Sequence, residues 1–313
     1  MSRVIGVFSG KGGVGKTTLV ANLGVTLSNG FKKNVIIFDN NIHSSHLGLH
    51  FGLYEDFPVT LRDVLKRHAS IMQAIYIHPE TGMRIIAAPL NGLDLNLTKK
   101  RCCNLVNQVK KNYDMVILDC APGLSREVII PMQVVDEAIV ISTADIAALT
   151  DAMKTIEILK KFKKTVLGIV INRYQNQKYE LTPQEISSTS NSNIIGVIPE
   201  DTKVPDSIAK GVPVVISYPY SKASRAFRHL GAFLIGETYK EESLLEKLRG
   251  LFNFKLLAPK QKTEPAVQQQ AMRKEISDTI ELKDELTKEI KEELKRELMK
   301  KVRAKLKERM HEN

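Results

Sequence analysis

Gly10-Lys11-Gly12-Gly13-Val14-Gly15-Lys16-Thr17-Thr18 is the stretch that decides the fold of this chain. It fits the spacing G-x-x-x-x-G-K-[ST]. Val4, Ile5, Val7 and Phe8 precede it as a short apolar run, the pattern of a parallel strand buried on both faces. Leu19-Val20-Ala21-Asn22-Leu23 follows and reads as helix. A strand, a glycine-rich loop and a helix in that order are the context that gives the motif its meaning. The glycines let the backbone turn successive N–H groups inward, and a helix starting near Lys16 adds its positive end. Gly10, Gly12, Gly13, Val14, Gly15, Lys16, Thr17 and Thr18 are therefore expected to cradle the phosphates of a nucleoside triphosphate. Lys16 is expected to reach the β- and γ-phosphates, and the Thr17 hydroxyl to sit on Mg²⁺.

Outward from the loop, apolar runs recur at 3–8, 35–39, 84–88, 115–119, 138–142, 165–171, 194–198 and 213–217. Helical patterns separate most of them. The alternation predicts an α/β fold: a mostly parallel sheet with helices on both faces and ligands at the carboxyl ends of the strands. Met115-Val116-Ile117-Leu118 ends in Asp119, four apolar residues followed by an acid. Such an acid emerges beside the phosphate loop and holds the Mg²⁺ shell through water.

With 313 residues and 43% hydrophobic content, the chain has room for one large domain and an appendage. Residues 4–8 are too short a run for a signal peptide, and no stretch of eighteen apolar residues predicts a transmembrane helix. Cys102, Cys103 and Cys120 form no C-x-x-C pair, so a reduced cytoplasmic protein is expected. The formal charge is +11, of which residues 1–259 carry +8 and residues 260–313 carry +3. That excess favours an acidic partner, anionic lipid or nucleic acid, without choosing among them.

GKGGVGKTT resembles the deviant phosphate-loop motif of the MinD/ParA group of P-loop ATPases, and is closest to the MinD branch. In that group the extra lysine reaches the partner's phosphates across a nucleotide-sandwich dimer. The resemblance implies this role for Lys11, and with it an ATP-dependent homodimer. Cys120-Ala121-Pro122-Gly123-Leu124, running on through Arg126 and Glu127, is similar to the family's γ-phosphate-sensing segment. Asn172-Arg173 matches the pair placed against the base. Gly196-Val197-Ile198-Pro199-Glu200-Asp201 resembles the signature that frames adenine and ribose. The resemblance covers about residues 1–257 and implies ATP and Mg²⁺ as cofactors. The lack of C-x-x-C argues against the iron–sulfur carrier branch.

One departure bears on chemistry. Family members carry D-x-D after the second strand, and its second Asp is the usual catalytic acid. Here the segment is Asp39-Asn40-Asn41, so Asn41 stands in that place. An amide accepts a hydrogen bond from water but takes no proton. With Lys11, Lys16, Asp39 and Asn41 as the catalytic set, tight ATP binding and slow hydrolysis are expected. Asp39, His43 or His46 are candidates to take over the water.

Residues 1–240 are read as the ATPase domain. Residues 241–257 form an amphipathic helix in which Leu244, Leu245, Leu248, Leu251 and Phe252 share a stripe, a candidate membrane-targeting element through 244–257. Its alternative is packing on the domain. Residues 258–270 are a linker, and 271–313 a long charged helix. In that helix Leu282, Leu286, Ile290, Leu294, Leu298, Val302, Leu306 and Met310 recur every four residues. Such a stripe drifts around a helix, unlike a heptad seam. The expectation is a cytoplasmic ATPase that dimerises on ATP and positions a protein client, peripheral on the cytoplasmic membrane face. A ParA-like DNA-cargo ATPase using Lys160-Lys161-Phe162-Lys163-Lys164 and a non-hydrolysing ATP-locked scaffold are the alternatives.

Overall fold

A computed structural model describes residues 2–41, 46–53, 57, 59–88 and 98–239. Strand β1 (Arg3–Phe8) is central because its side chains are apolar on both sides. Val4 and Phe8 enter one hydrophobic core and Ile5 and Val7 the other. The same alternation runs through β2 (Val35–Asp39) and β5 (Met115–Asp119), both buried throughout.

The sheet has eight strands in the order β3-β4-β2-β5-β1-β6-β7-β8. All pairings are parallel except β3 (Ile75–Ile77) with β4 (Arg84–Ile86) at the edge. β6 (Glu137–Ser142), β7 (Thr165–Tyr174) and β8 (Ile194–Pro199) build the other half. The order therefore reverses about β1, where a crevice opens at the strand ends. Register carries the acids there: Asp119 lies opposite Val7 on one side and Asp39 on the other.

Helices cover both faces. α1 (Lys16–Val25) and α9 (Lys222–Leu234) contribute Leu19, Leu23, Phe227 and Leu230 to the core on one side. α3 (Lys99–Lys110), α4 (Arg126–Val134) and α5 (Ile146–Lys161) contribute Val106, Val128 and Ile156 to the other. The remaining α-helices among the described residues are α2 (Leu61–Leu65), α6 (Pro183–Ser190), α7 (Lys203–Ala209) and α8 (Val214–Ser217).

Two elements differ from the sequence reading. Residues 213–217 are not a strand: Val214–Ser217 is a one-turn helix begun by Pro213. Val214 and Val215 are buried in the core beside α1 and α9, and the Val215 N–H donates to Asn22 Oδ1 at 3.2 Å. A four-residue apolar run does not distinguish a buried helix from a strand. Strand β3 was not anticipated. It is three residues long and forms by hairpin pairing, with Gly82 in the turn at φ +64°.

The chain divides into two units, Met1–Glu241 and Glu242–Asn313. The amphipathic segment 241–257, the linker 258–270, the helix 271–313 and His43 lie outside the described residues. Among the described residues, no helix is long and apolar enough to cross a membrane.

Candidate functional site

The phosphate loop joins β1 to α1. Gly15 caps α1 at φ +94° with no side-chain cap bond, which leaves the first turn of N–H groups to a ligand. A Cβ at Gly15 would lie 2.2 Å from Asn172 Nδ2. At Gly10 it would lie 2.4 Å from the Asp151 carbonyl oxygen, so the loop packs tightly on α5. The Ser9 hydroxyl donates to the Lys11 carbonyl at 3.0 Å.

Two adjoining cavities meet at this loop. One, of about 350 Å³, is lined by Ser9, Gly13 to Thr18, Asn41, His46, Pro122 and Arg173. The other, of about 300 Å³, is lined on its far side by Ile198, Pro199, Glu200, Asp201, Val204 and Phe227. Gly15, Thr18 and Arg173 border both. The first is built of loop backbone and a buried cation. The second has an apolar floor with a few polar groups, the form of a base pocket.

Beneath the first cavity, Lys16 Nζ stands 3.6 Å from Asp119 Oδ1, and both side chains are buried. Burial pushes the Asp119 carboxyl up, while the Lys16 charge and the Thr17 hydroxyl pull against that rise. Oδ1 accepts no hydrogen bond. A buried carboxylate oxygen left in this way is matched to a hydrated cation, and Thr17 lines the cavity beside it. Mg²⁺ held by one hydroxyl, one carboxylate through water and phosphate oxygens needs no cluster of protein ligands. None of three or more is present among the described residues.

The match to known proteins is decisive here. The model of the CobQ/CobB/MinD/ParA nucleotide binding domain matches residues 5–214.

The chain belongs to the CobQ/CobB/MinD/ParA family.

It is similar to an uncharacterized ATP-binding protein of Methanocaldococcus jannaschii, 38% identical over 80% of this chain and 97% of that one. In structure it is similar to the septum site-determining protein MinD of Pyrococcus horikoshii complexed with Mg-ADP. That match has a TM-score of 0.70 and 31% identity, and covers 75% of this chain and 96% of that one. It is also similar to the MinC:MinD cell division complex of Aquifex aeolicus, with a TM-score of 0.69 and 26% identity over 77% and 99% of the two chains.

Within this MinD/ParA-type fold the structure distributes the expected residues as follows. Asn172 lines the second cavity, and its Nδ2 donates to the Val14 carbonyl at 2.7 Å. Arg173, exposed at φ +58°, borders both cavities. Pro199 and Glu200 form its wall. The Asp201 carboxylate instead accepts from the Lys203 and Ala223 N–H groups at 2.9 and 3.0 Å. Burial raises its pKa, yet those backbone bonds prevail and the net direction is down. Asp201 thus fixes the starts of α7 and α9, which carry Val204 and Phe227.

Asn41 is buried and borders the phosphate cavity. Asp39 is fully buried and borders neither cavity; its Oδ1 accepts from the Asn41 N–H at 3.0 Å. Lys11 is exposed and also borders neither cavity. In the segment 120–127, Pro122 lines the first cavity and the Gly123 N–H donates to the Ser9 carbonyl at 2.9 Å. Burial pushes the Cys102 thiol up to about 12, and raises that of Cys120 as well, beside Asp119. Both are unreactive core thiols. Phe227, Ile208 and Ser9 were not anticipated as site residues. An apolar wall residue carries the same sequence pattern as any core residue.

Proposed function

We propose that this chain is a MinD-like ATPase that binds Mg-ATP, dimerises on it, and positions a protein client, with slow hydrolysis. The observation that carries the reading is the buried Lys16–Asp119 pair beneath a phosphate cavity that adjoins a base cavity. The triphosphate would lie on the loop N–H groups and Lys16. Bound Mg²⁺ would neutralise charge on the phosphate oxygens, held by Thr17 and, through water, by Asp119. Asn172 gives one amide N–H to Val14, which leaves its carbonyl oxygen and its second N–H for the base. An acceptor there suits the amino group of adenine.

Lys11 supports the dimer. It is exposed, borders neither cavity of its own chain, and is free to reach a second copy. The MinC:MinD complex of Aquifex aeolicus is the precedent for a protein client, and the segment 244–257 supplies a candidate contact with anionic lipid. Asn41 in the phosphate cavity is the reason to expect slow turnover.

Three measurements on the full chain test this. Calorimetric titration should show Mg-dependent ATP binding that is lost in Lys16→Ala. Light scattering should show a dimer with ATP and a monomer with ADP. Vesicle co-sedimentation should depend on ATP, with DNA co-sedimentation as the competing arm. A dimer that forms in ATP with no measurable phosphate release identifies the ATP-locked scaffold instead. A chain that stays monomeric in ATP sinks the proposal.

A further inference from the structure

We propose that His46 is the catalytic residue that orients the attacking water and takes its proton when this chain hydrolyses ATP. The inference rests on the reading of the chain as an ATP hydrolase. It follows from what else surrounds the phosphate cavity. Among the described residues, the cavity wall contains no carboxylate. Asp39 holds the Asn41 N–H and lies buried behind the wall, and Asp119 is paired with Lys16. Lys16 is paired with Asp119, a guanidinium such as that of Arg173 donates and does not accept, and the Ser9 hydroxyl is committed to the Lys11 carbonyl. Thr17, Thr18 and the Asn41 amide are not bases. His46 is the one imidazole on the described wall, the side-chain type that most often serves as a general base.

Its position is built rather than incidental. The His46 carbonyl accepts from the Leu49 N–H at 3.2 Å and so opens the single helical turn Gly48–Phe51. Leu47, the next residue, is fully buried in the core. The far end of the turn is held by His78, whose Nε2 lies 2.8 Å from the Phe51 carbonyl. The imidazole is thereby carried on an anchored segment, with Asn41 on the same cavity wall. A general base with an amide beside it divides the work. Asn41 accepts one hydrogen bond from the water, and His46 accepts the proton that leaves.

The step balances as follows. The water oxygen bonds to the γ-phosphorus. The bond from that phosphorus to the β–γ bridging oxygen breaks, and its electron pair stays on ADP. The proton released by the water passes to His46 and then to inorganic phosphate.

The test uses the full chain, with single-turnover phosphate release and fluorescent ATP-analogue binding measured side by side. His46→Ala should lower the rate about 10²-fold while affinity stays within about threefold. In His46→Gly, added imidazole should restore at least tenfold of the lost rate, which a merely structural role would not allow. In an Asn41→Asp background, where a carboxylate is supplied nearby, His46→Ala should cost less than tenfold. Thermal melts check folding, and His46→Gln, which keeps a hydrogen bond but no base, serves if the smaller variants are unstable; it should be as slow as His46→Ala. Wild-type turnover with an unchanged rate in His46→Ala overturns this proposal alone. So does an equal loss in both backgrounds, which would point to His43 or to a structural effect. A wild-type chain that binds ATP but shows no Lys16-dependent turnover overturns both this proposal and the hydrolase reading.

Discussion

Asn172 reaches from the end of β7 to the phosphate loop and donates its Nδ2 to the Val14 carbonyl at 2.7 Å. The contact is made between a residue of the base cavity and a residue of the phosphate cavity, across the glycine that borders both. The second cavity and the shape of the loop are thus joined by one buried hydrogen bond. Asn172→Ala removes the donor and leaves the Val14 carbonyl unpaired. The expected cost is about 1–2 kcal/mol, or a roughly tenfold rise in the Kd for ADP. Calorimetric titration checks it, and an unchanged Kd would show that the latch has no bearing on binding.

Gly15→Ala and Gly12→Ala should part company. At Gly15 the backbone is left-handed and a Cβ would meet Asn172 at 2.2 Å. At Gly12 the nearest atom to an added Cβ is Pro122 Cγ at 3.9 Å, an ordinary contact. Gly15→Ala should lose about 2 kcal/mol or more of stability together with nucleotide binding. Gly12→Ala should stay within about 0.5 kcal/mol of wild type. Urea unfolding of the two variants gives the comparison.

Asn41→Asp should accelerate ATP turnover by roughly 10²-fold, because it puts an ionisable acceptor on the phosphate cavity wall. ATP affinity should change little, since the loop backbone and Lys16 supply the phosphate contacts. Steady-state phosphate release decides the point. A rate equal to wild type would mean that the amide is not what limits hydrolysis.

His50 supplies a pH dependence. It is buried, and burial, with His46 nearby, lowers its pKa from 6.5 to about 4. Between those values the unfolded chain binds a proton that the folded chain does not, so stability rises with pH. The His50 contribution is present above pH 6.5 and lost as pH falls through the window towards 4, to a total of about 3 kcal/mol. Urea unfolding at pH 7 and pH 5 should show the loss, and His50→Leu should flatten the difference.

Asp201→Ala should destabilise the fold by about 2 kcal/mol, since two helix-start N–H groups lose their acceptor. The folded carboxyl lies below its ordinary value, so this contribution is present above about pH 4 and fades as pH falls. Nucleotide affinity should weaken along with stability, because α7 and α9 wall the base cavity. Thermal melts with and without ADP separate the two effects.

The phosphate loop was legible because its physics is local. A glycine-rich turn between a buried strand and a helix needs only neighbours in sequence to take shape. Asp119 was legible for the same reason, at the end of four apolar residues. Residues 213–217 were misread because a short buried run looks alike as strand or helix until its hydrogen-bond partners are known. Here the partner is Asn22, far away in the chain. Asp201 was read in sequence as part of the segment that frames adenine, and its task of fixing α7 and α9 could not be seen there, since the Ala223 N–H comes to it only on folding.

By itself, the sequence determined a parallel α/β sheet, a glycine-rich loop of the phosphate-binding pattern, an acid beside it, and an amide at Asn41 where the resemblance implies a catalytic Asp. These follow from apolar periodicity and from residue chemistry at fixed spacing. Tertiary structure alone decided that Asn172 latches Val14, that Asp39 is withdrawn behind the cavity, and that His46 stands on its wall. Those facts depend on strand order and register, which bring β1, β2, β5 and β7 to one edge. Distance through space at that edge bears no relation to distance along the chain.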